Sequence, residues 1–494
     1  MTQPFLQSKI ILRNNRIDIL DPNAVVLNRL SKLLTVYDDY AAYPCPLWRG
    51  MVNRTIDGHN AVSIPRFVSK QVVNELAEAL NSAAPVYISD SINPKRIAVT
   101  VNASPRSEIQ YSALDYMFPN GSKYFDQSIK ILNLPVGEGK TYLAIMALAR
   151  LGVKTNIFVH KLTMIETPWM KDILKFTDIK PEEICIIGDG HPVEKAIENA
   201  DKYKIFITVH RTFTNIAAKP DGEKRIDEIY KALGIGLNII DEAHLEMLSA
   251  FMIAMYTKVK FTLYLTATLG KTDRSEKKLF YKIIPVFASF ANNNFVETKK
   301  FITYRPRPFK TDDIDKKWKT KFTIEKGVKL ASYSDYVMNN KTAYESLKLG
   351  ILNAIDEIMT ENPEAHIAII LGTLELISNL KEDIFDYYQG KYEVGNFTTM
   401  IRPKVRSEEL KKPIVLSTEK GLNSAIDSSI DAMILCTSNT SDILLTQLIG
   451  RIRCKDENKV YPVYDIFEIG ISKLKYNFDT RKNTIKRQIA KNVE

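Results

Sequence analysis

Short, continuous apolar runs recur through the middle of the chain: Ile131-Leu132-Asn133-Leu134, Thr155 to Val159, Ile184 to Ile187, Ile205 to Val209, Leu237 to Ile240 and Thr262 to Leu265. Between them lie stretches whose apolar residues fall three and four apart. An unbroken apolar run of four or five residues suits a strand covered on both faces, and the intervening period suits helices. Strands alternating with helices in this way predict a parallel sheet with helices on either side. From about residue 346 the pattern resumes with Ala368 to Leu371, Ile414 to Leu416 and Ala432 to Leu435, which predicts a second domain of the same class. Between the two, Lys299 to Lys329 is rich in Lys and Arg, with Phe301, Tyr304, Phe309, Trp318 and Phe322 interleaved. This stretch is expected to be a solvated inter-domain connection; support for stacked bases is its other reading.

The start of the chain reads differently. Runs at Lys9 to Leu12 and Arg16 to Ile19 precede a helix expected to open with Asp21 as N-cap and Pro22 in its first position, placing Leu27, Leu30 and Leu34 on one face. A second amphipathic helix, Val72-Leu76-Leu80, follows the turn Pro65-Arg66-Phe67. The expected fold class is α/β, with a small α/β N-terminal domain over 1–98, a parallel-sheet domain over 99–298, and the basic linker with a second parallel-sheet domain over 299–494.

Composition narrows the function. The 494 residues are 45% hydrophobic and 26% charged, with 20 Gly and 21 Pro, which excludes a disordered or collagenous chain and allows about three domains. The longest apolar stretch, Met247 to Tyr256, is short of the roughly 18 residues of a membrane span, and Met1-Thr2-Gln3-Pro4 has no signal-peptide character. A cytoplasmic protein without a membrane partner is therefore expected. Cys45, Cys185, Cys436 and Cys454 lie far apart, and none of the six histidines is spaced with a cysteine as a zinc ligand would be. Lys and Arg number 68 against 58 acids, a formal charge of +10 that favours a polyanionic partner such as nucleic acid.

The chemistry concentrates in four segments. Leu134-Pro135-Val136-Gly137-Glu138-Gly139-Lys140-Thr141 follows a predicted strand and opens a helix expected over Tyr142 to Leu151. Backbone N–H groups in such a turn cradle phosphates at the positive end of the helix dipole. Lys140 would reach the β and γ phosphates of ATP, and the Thr141 hydroxyl would ligate Mg²⁺. About a hundred residues on, the strand Leu237 to Ile240 runs into Asp241-Glu242-Ala243-His244, where Asp241 can hold the metal and Glu242 can polarise an attacking water. Leu263-Tyr264-Leu265-Thr266-Ala267-Thr268 ends a strand in small hydroxyl residues. Gln447-Leu448-Ile449-Gly450-Arg451-Ile452-Arg453 lies in the second domain, where an arginine can sense a γ-phosphate. Residues two apart on a helix point about 200° apart, so Arg451 and Arg453 could not both face one ligand unless the helix ends there.

Together these segments resemble superfamily 2 helicases of the DEAH-lettered kind, over nearly the whole chain from about residue 100. The resemblance implies two tandem RecA-like domains, ATP and Mg²⁺ in the cleft between them, and motifs at Gly137 to Thr141, Asp241 to His244, Thr266 to Thr268 and Gln447 to Arg453. Gln447 joins Lys140, Asp241, Glu242, Arg451 and Arg453 among the catalytic residues it implies, and Glu138 joins Gly137, Gly139, Lys140 and Thr141 in the nucleotide cradle. Arg106 and Gln110 look like the adenine-reading R-x-x-x-Q element. Within the superfamily, Ile131 to Pro135 and the N-terminal domain are similar to phage UvsW-type recombination helicases and, more distantly, to the XPB-like group. That likeness implies an ATP-dependent DNA helicase or translocase, monomeric, working on single-stranded or branched DNA in a phage-infected bacterial cell; the alternatives are a viral-type RNA helicase or transcript-release factor, or a slow nucleotide-switched nucleic-acid clamp. It also implies nucleic-acid binding by the N-terminal domain, where Arg49, Arg54 and Arg66 would supply the grip. Three departures stand out: Cys454 where an arginine is usual, Ser424 where a glycine is usual, and Val159-His160-Lys161-Leu162-Thr163 without its usual proline.

Overall fold

The computed structural model describes the chain except residues 1–7, 38–45, 67, 90, 135–136, 163, 189, 267–277, 279–281, 283–288, 292–298, 325–327, 399, 402, 424–429, 453–455, 457–458, 489 and 494. It divides into two compact units, Met1–Asn292 and Asn293–Glu494.

The first unit begins with β1 (Ile10–Leu12), β2 (Arg16–Leu20), α1 (Ala24–Leu34), β3 (Thr35–Tyr37), β4 (Pro46–Arg49), β5 (Val52–Ile56), β6 (His59–Pro65), α2 (Lys70–Ala79) and β7 (Val86–Tyr87). Five of these strands form one sheet in the order β5-β6-β2-β1-β7, antiparallel except for the β1–β7 pair, while β3 and β4 pair apart. Ile10, Ile17, Ile19 and Ile64 of the sheet pack against Val26, Leu30 and Leu34 of α1 and Val73, Leu76 and Ala77 of α2. Helix α1 opens two residues later than expected. Asn23 is its N-cap, accepting from the Val26 N–H, while Asp21 adopts a left-handed turn (φ 44) and its carboxylate takes the His59 ring. Val26 joins Leu30 and Leu34 on the buried face, and Leu27 is exposed. Helix α2 buries Val73 and Ala77 beside Leu76, and Val72 is only partly covered.

Next come α3 (Glu108–Met117), β8 (Ile129–Asn133), α4 (Lys140–Leu151), β9 (Thr155–Val159), α5 (Lys171–Phe176), β10 (Ile184–Ile187), α6 (Val193–Glu198), β11 (Ile205–Val209), α7 (His210–Ala217), α8 (Gly222–Leu233), β12 (Leu237–Ile240), α9 (Met247–Tyr256), β13 (Phe261–Thr266) and β14 (Ser289–Ala291). All pairings in the sheet β10-β11-β9-β12-β13-β8-β14 are parallel. Helix α9, apolar on every side, is a core helix, and no helix among the described residues is long and apolar enough to cross a membrane.

The second unit holds β15 (Lys299–Pro306), α10 (Lys316–Ile324), α11 (Leu330–Met338), α12 (Lys341–Glu361), β16 (Ile367–Leu371), α13 (Leu374–Tyr387), β17 (Val394–Phe397), α14 (Pro403–Glu409), β18 (Ile414–Thr418), α15 (Glu419–Asn423), β19 (Ala432–Leu435), α16 (Asp442–Ile449), β20 (Tyr461–Asp465), α17 (Ser472–Gln488) and β21 (Ala490–Val493). Its sheet, β17-β18-β16-β19-β20-β15-β21, is parallel too. Numbered within its own unit, each sheet reads 3-4-2-5-6-1-7. These are two RecA-like domains, the first preceded by the small α/β region.

The shared order corrects the reading of Lys299 to Lys329. Its first part, β15, is the first strand of the second sheet and occupies the slot that β8 fills in the first. Tyr304 is fully buried and donates its hydroxyl to Asp465 at 2.6 Å, and Trp318 and Phe322 pack their rings on Tyr336 inside the core. These aromatics are neither solvated nor open to bases. Arg481 of α17, without solvent exposure, binds Asp465 through two nitrogens at 2.7 and 2.8 Å and donates to the Thr437 carbonyl at 2.6 Å. It thereby ties α17 to the carboxyl ends of β19 and β20.

The N-terminal region is bolted to the far end of α9. Arg16 and Arg54 both donate to the Met255 carbonyl, at 2.9 and 2.8 Å, where the helix dipole favours cations. Asn15 donates to Thr257 O, the Ile92 N–H donates to Lys258 O at 2.8 Å, and Trp48 meets Phe251 edge to face. Arg54 also pairs with Glu223 at 3.2 Å and is nearly buried; burial pulls it down to about 10, still a cation at neutral pH. The Arg54 side chain, expected to grip nucleic acid, is instead used inside the protein, Arg66 is half-buried, and only Arg49 of the three is exposed.

Arg54→Met should keep the stem and remove the guanidinium, lowering the stability of the first unit by about 1.5–3 kcal/mol, the scale of a lost charge-assisted bond. Urea unfolding followed by tryptophan fluorescence measures it, and a loss below about 0.5 kcal/mol would put Arg54 back among surface residues.

Candidate nucleotide site

Because the strands of the first sheet are parallel, β8, β9, β11, β12 and β13 all end on one rim, and the predicted site residues collect there. After β8 the chain turns through Gly137 (φ 97) and Gly139 (φ 82), a conformation open to glycine at little steric cost. A Cβ on Gly139 would stand 2.4 Å from Gln110 Nε2. Helix α4 begins at Lys140, two residues earlier than expected, so Lys140 and half-buried Thr141 form its first turn. Arg106 and Gln110 support this turn from α3 and the residues before it. Arg106 donates to Gly137 O at 2.6 Å, Gln110 Nε2 donates to Glu138 O at 3.0 Å, and Gln110 Oε1 accepts from the Arg106 N–H at 2.9 Å. With the carbonyls engaged from behind, Gly137 to Lys140 form a preorganised cradle. Lys140 Nζ donates to Leu134 O at 2.9 Å, folded back across the loop.

Asp241 to His244, motif II of the resemblance, follows β12, two strands away. Asp241 is almost fully buried; its Oδ1 accepts from the Glu242 N–H and its Oδ2 from the Trp169 indole N–H, both at 2.9 Å. Burial and the neighbouring Glu242 raise its carboxyl well above the usual range, against the pull of Trp169 and Lys140. Glu242 has φ 45, a left-handed backbone unusual for a residue with a side chain and found where a surrounding structure holds it for a task. Its Oε2 is buried without a hydrogen bond, 3.3 Å from His244 Nδ1. His244 Nδ1 in turn meets Thr266 Oγ1 at 3.1 Å, joining motif II to the end of β13. Ala267 and Thr268 fall outside the described residues.

A cradle of N–H groups with a lysine, together with a buried carboxylate that has no ion pair among the described residues and an adjacent glutamate, suits a nucleoside triphosphate with a divalent cation. Thr141 and Asp241 could hold such a cation.

Residues not singled out in the sequence also belong to this rim. Trp169, fully buried, sits in a π-helical turn (Ile165–Met170) interrupted by Pro168. His160 and His210 directly follow β9 and β11, and His244 comes shortly after β12, so three neighbouring strands each end near an imidazole. Burial pulls His160 down to about 4 and His210 down to about 3, leaving both neutral at pH 7. His210 Nδ1 pairs with Ser249 Oγ at 2.8 Å. Six histidines in the whole chain, three of them just after apolar runs, was the available signal.

Gln447 and Arg451 belong to the second unit. Helix α16, capped by Ser441, ends at Ile449; Gln447 lies in its last turn, and Arg451 lies beyond it, next to Ile452, which bridges to Ile430. The helix therefore ends before Arg451, which lifts the 200° restriction. Arg453 and Cys454 lie outside the described residues, as does Ser424.

A family model described as the type III restriction enzyme, res subunit, matches residues 68–271. The chain is 28% identical over 171 residues to the DNA 3'-5' helicase XPB of Mycobacterium tuberculosis, covering 35% of this chain and 29% of that protein. It is also 28% identical over 176 residues to the protein of that name from Kineococcus radiotolerans, covering 36% and 28%. The first unit is helicase-like. The matches span under a third of the length of either relative. Among solved structures, the Hef helicase domain of Pyrococcus furiosus aligns with 76% of this chain and 98% of its own, at 12% identity and a TM-score of 0.47.

Trp169→Phe should keep the ring and remove the bond to Asp241. A charge-assisted bond of about 1.5 kcal/mol predicts roughly tenfold weaker nucleotide binding in Mg²⁺ and unchanged binding in EDTA, read with a fluorescent ATP analogue. Equal losses in both would make Trp169 a packing residue only.

Proposed function

We propose that the protein is an ATP-driven nucleic-acid motor, a DNA helicase or translocase that binds single-stranded or branched DNA and unwinds or remodels branched DNA. The observation that carries this reading is the convergence on one rim of a braced phosphate cradle, Lys140 and the pair Asp241–Glu242. The likeness to two DNA helicases supports DNA over RNA. The finer reading is a monomer working in phage recombination or replication inside an infected bacterial cell, and it rests on the UvsW-type likeness of Ile131 to Pro135.

In this mechanism Gly137, Glu138, Gly139 and Lys140 donate to the β and γ phosphates, with Lys140 leaving the Leu134 carbonyl to do so. Arg106 and Gln110 brace that loop and face the adenine. Thr141 and Asp241 would hold Mg²⁺, which supplies positive charge to the phosphate oxygens when bound. Glu242 accepts a hydrogen bond from the attacking water through its carboxylate and orients it. The His244–Thr266 bond passes the state of motif II to β13. Arg451, with Arg453 as the second candidate and Gln447 as a further catalytic residue, would answer the charge that develops on the γ-phosphate.

Steady-state ATPase with and without DNA and RNA, followed by unwinding of forked DNA, forked RNA and a Holliday junction, tests the reading. Stimulation by RNA alone would replace DNA as the substrate, and nucleotide binding without turnover would leave a nucleotide-switched clamp. Lys140→Ala should fold and lose hydrolysis, whereas Glu242→Gln should still bind ATP and hydrolyse it about two orders of magnitude more slowly or worse. Wild-type turnover in Lys140→Ala would move the phosphate site elsewhere.

Arg451→Ala should reduce turnover about a hundredfold or more with little change in ATP affinity, the behaviour of a charge used in the transition state. An inert Arg451→Ala together with a dead Arg453→Ala would transfer the role.

A further inference from the structure

The rim of the first sheet opposite the nucleotide carries a group of cations that the motor chemistry does not use. Lys140 and Asp241 follow the carboxyl ends of β8 and β12, whereas this group lies where strands begin. Lys260 directly precedes β13, Lys123 and Tyr124 come shortly before β8, Arg150 is in the last turn of α4, and Arg96 bridges to Val153 ahead of β9.

Arg96 and Lys260 meet on one exposed ring, Lys123 is its chain neighbour, and Arg150 lies over a second ring, Phe118. Arg96 donates to the Tyr124 hydroxyl at 3.0 Å and to Leu151 O at 3.1 Å, and its guanidinium carbon is 5.6 Å from the Tyr124 ring centre. Lys260 Nζ is 5.2 Å from the same centre and 5.4 Å from that of Phe261, on which Tyr124 stacks. Arg150 lies 4.6 Å over Phe118. All four cations and Tyr124 are exposed. Nearby acids are already engaged, Asp126 by Lys130 and Asp201 by Lys95, and among the described residues none of the four cations has a carboxylate in ion-pair range. The Arg96 hydrogen bond, with the charges of Lys260 and Lys123, holds the Tyr124 phenol below its ordinary pKa, which reports a positive local field.

We propose that Arg96, Lys123, Arg150 and Lys260, gathered around Tyr124, form a second contact for the phosphate backbone of nucleic acid on the rim remote from the nucleotide site. Aromatic stacking fixes the cations in place without neutralising them, so little ordering remains to be done on binding. Protein interfaces are built around an apolar centre, whereas nucleic-acid interfaces are polar and positively charged. Here Tyr124 is the one large exposed apolar side chain of the cluster, which favours phosphate over an acidic protein.

The inference rests on the reading of the chain as a nucleic-acid motor, and the test separates the two. In the full chain, Lys123→Gln with Lys260→Gln should leave DNA-free ATPase and melting temperature unchanged. Affinity for a fluorescein-labelled tailed duplex should fall several-fold, and the slope of log affinity against log salt should become shallower by about 1–2, near 0.9 per duplex phosphate contact. DNA should also protect Lys123 and Lys260 of the wild type from acetylation. An unchanged slope with no protection, in a protein that binds DNA, overturns the proposal alone. Protection by polyglutamate with DNA affinity untouched reassigns the patch to an acidic protein and also overturns it. A wild type that binds neither DNA nor RNA removes the motor reading and this one together.

Discussion

A carboxylate at the end of a fully covered strand has no water to ionise into, and the upper rim of the first unit is arranged around that difficulty. Asp241 receives an indole N–H, a backbone N–H and the field of Lys140, yet remains above the usual carboxylate range. Such a group is stabilised as an anion only when further positive charge arrives. The same constraint accounts for the two neutral imidazoles nearby, because protonating His160 or His210 would require burying a charge where burial already disfavours one. The rim thus holds a carboxyl that an added positive charge would ionise, flanked by two imidazoles that stay neutral.

The far ends of the same elements are held by the N-terminal region. Helix α9 starts just after motif II and finishes at the Met255 carbonyl, which Arg16 and Arg54 share, and β13 leads from that seam to Thr266. A small domain that the resemblance casts as a nucleic-acid grip is, in its buried arginines, a brace on two elements of the first parallel-sheet domain. Trp169 performs the matching task from the other side, reaching Asp241 from a π-helical turn, a geometry often kept where a side chain must be re-aimed.

Much of this was legible in the sequence because it is local. The strands Thr155–Val159, Ile184–Ile187, Ile205–Val209, Leu237–Ile240 and Ala432–Leu435 fall where their apolar runs predict, and the glycine pattern before Lys140 requires the turn that is found. What escaped was set by distant partners. Asp21 makes as good an N-cap as Asn23 until His59 claims its carboxylate. The strand Lys299–Pro306 hides behind its lysines and arginines, and Tyr461–Asp465 behind Pro462, although both lie inside the sheet. The Trp169–Asp241 bond spans 72 residues and leaves no local trace.

Two sheets with one strand order in a single chain have a consequence for how the protein is made. Each parallel strand must wait for a crossover to return before it can pair, so both halves fold slowly, and while they do each displays edges that match the other's. Synthesis from the N-terminus separates them in time, since the first sheet can close before β16 to β20 exist. The unlike cores add a second safeguard: Tyr304 of β15 donates its hydroxyl to Asp465 at the end of β20, whereas the matching strand β13 of the first sheet ends in Thr266. Refolding from denaturant, where both halves are present at once, is where strand exchange between them would appear.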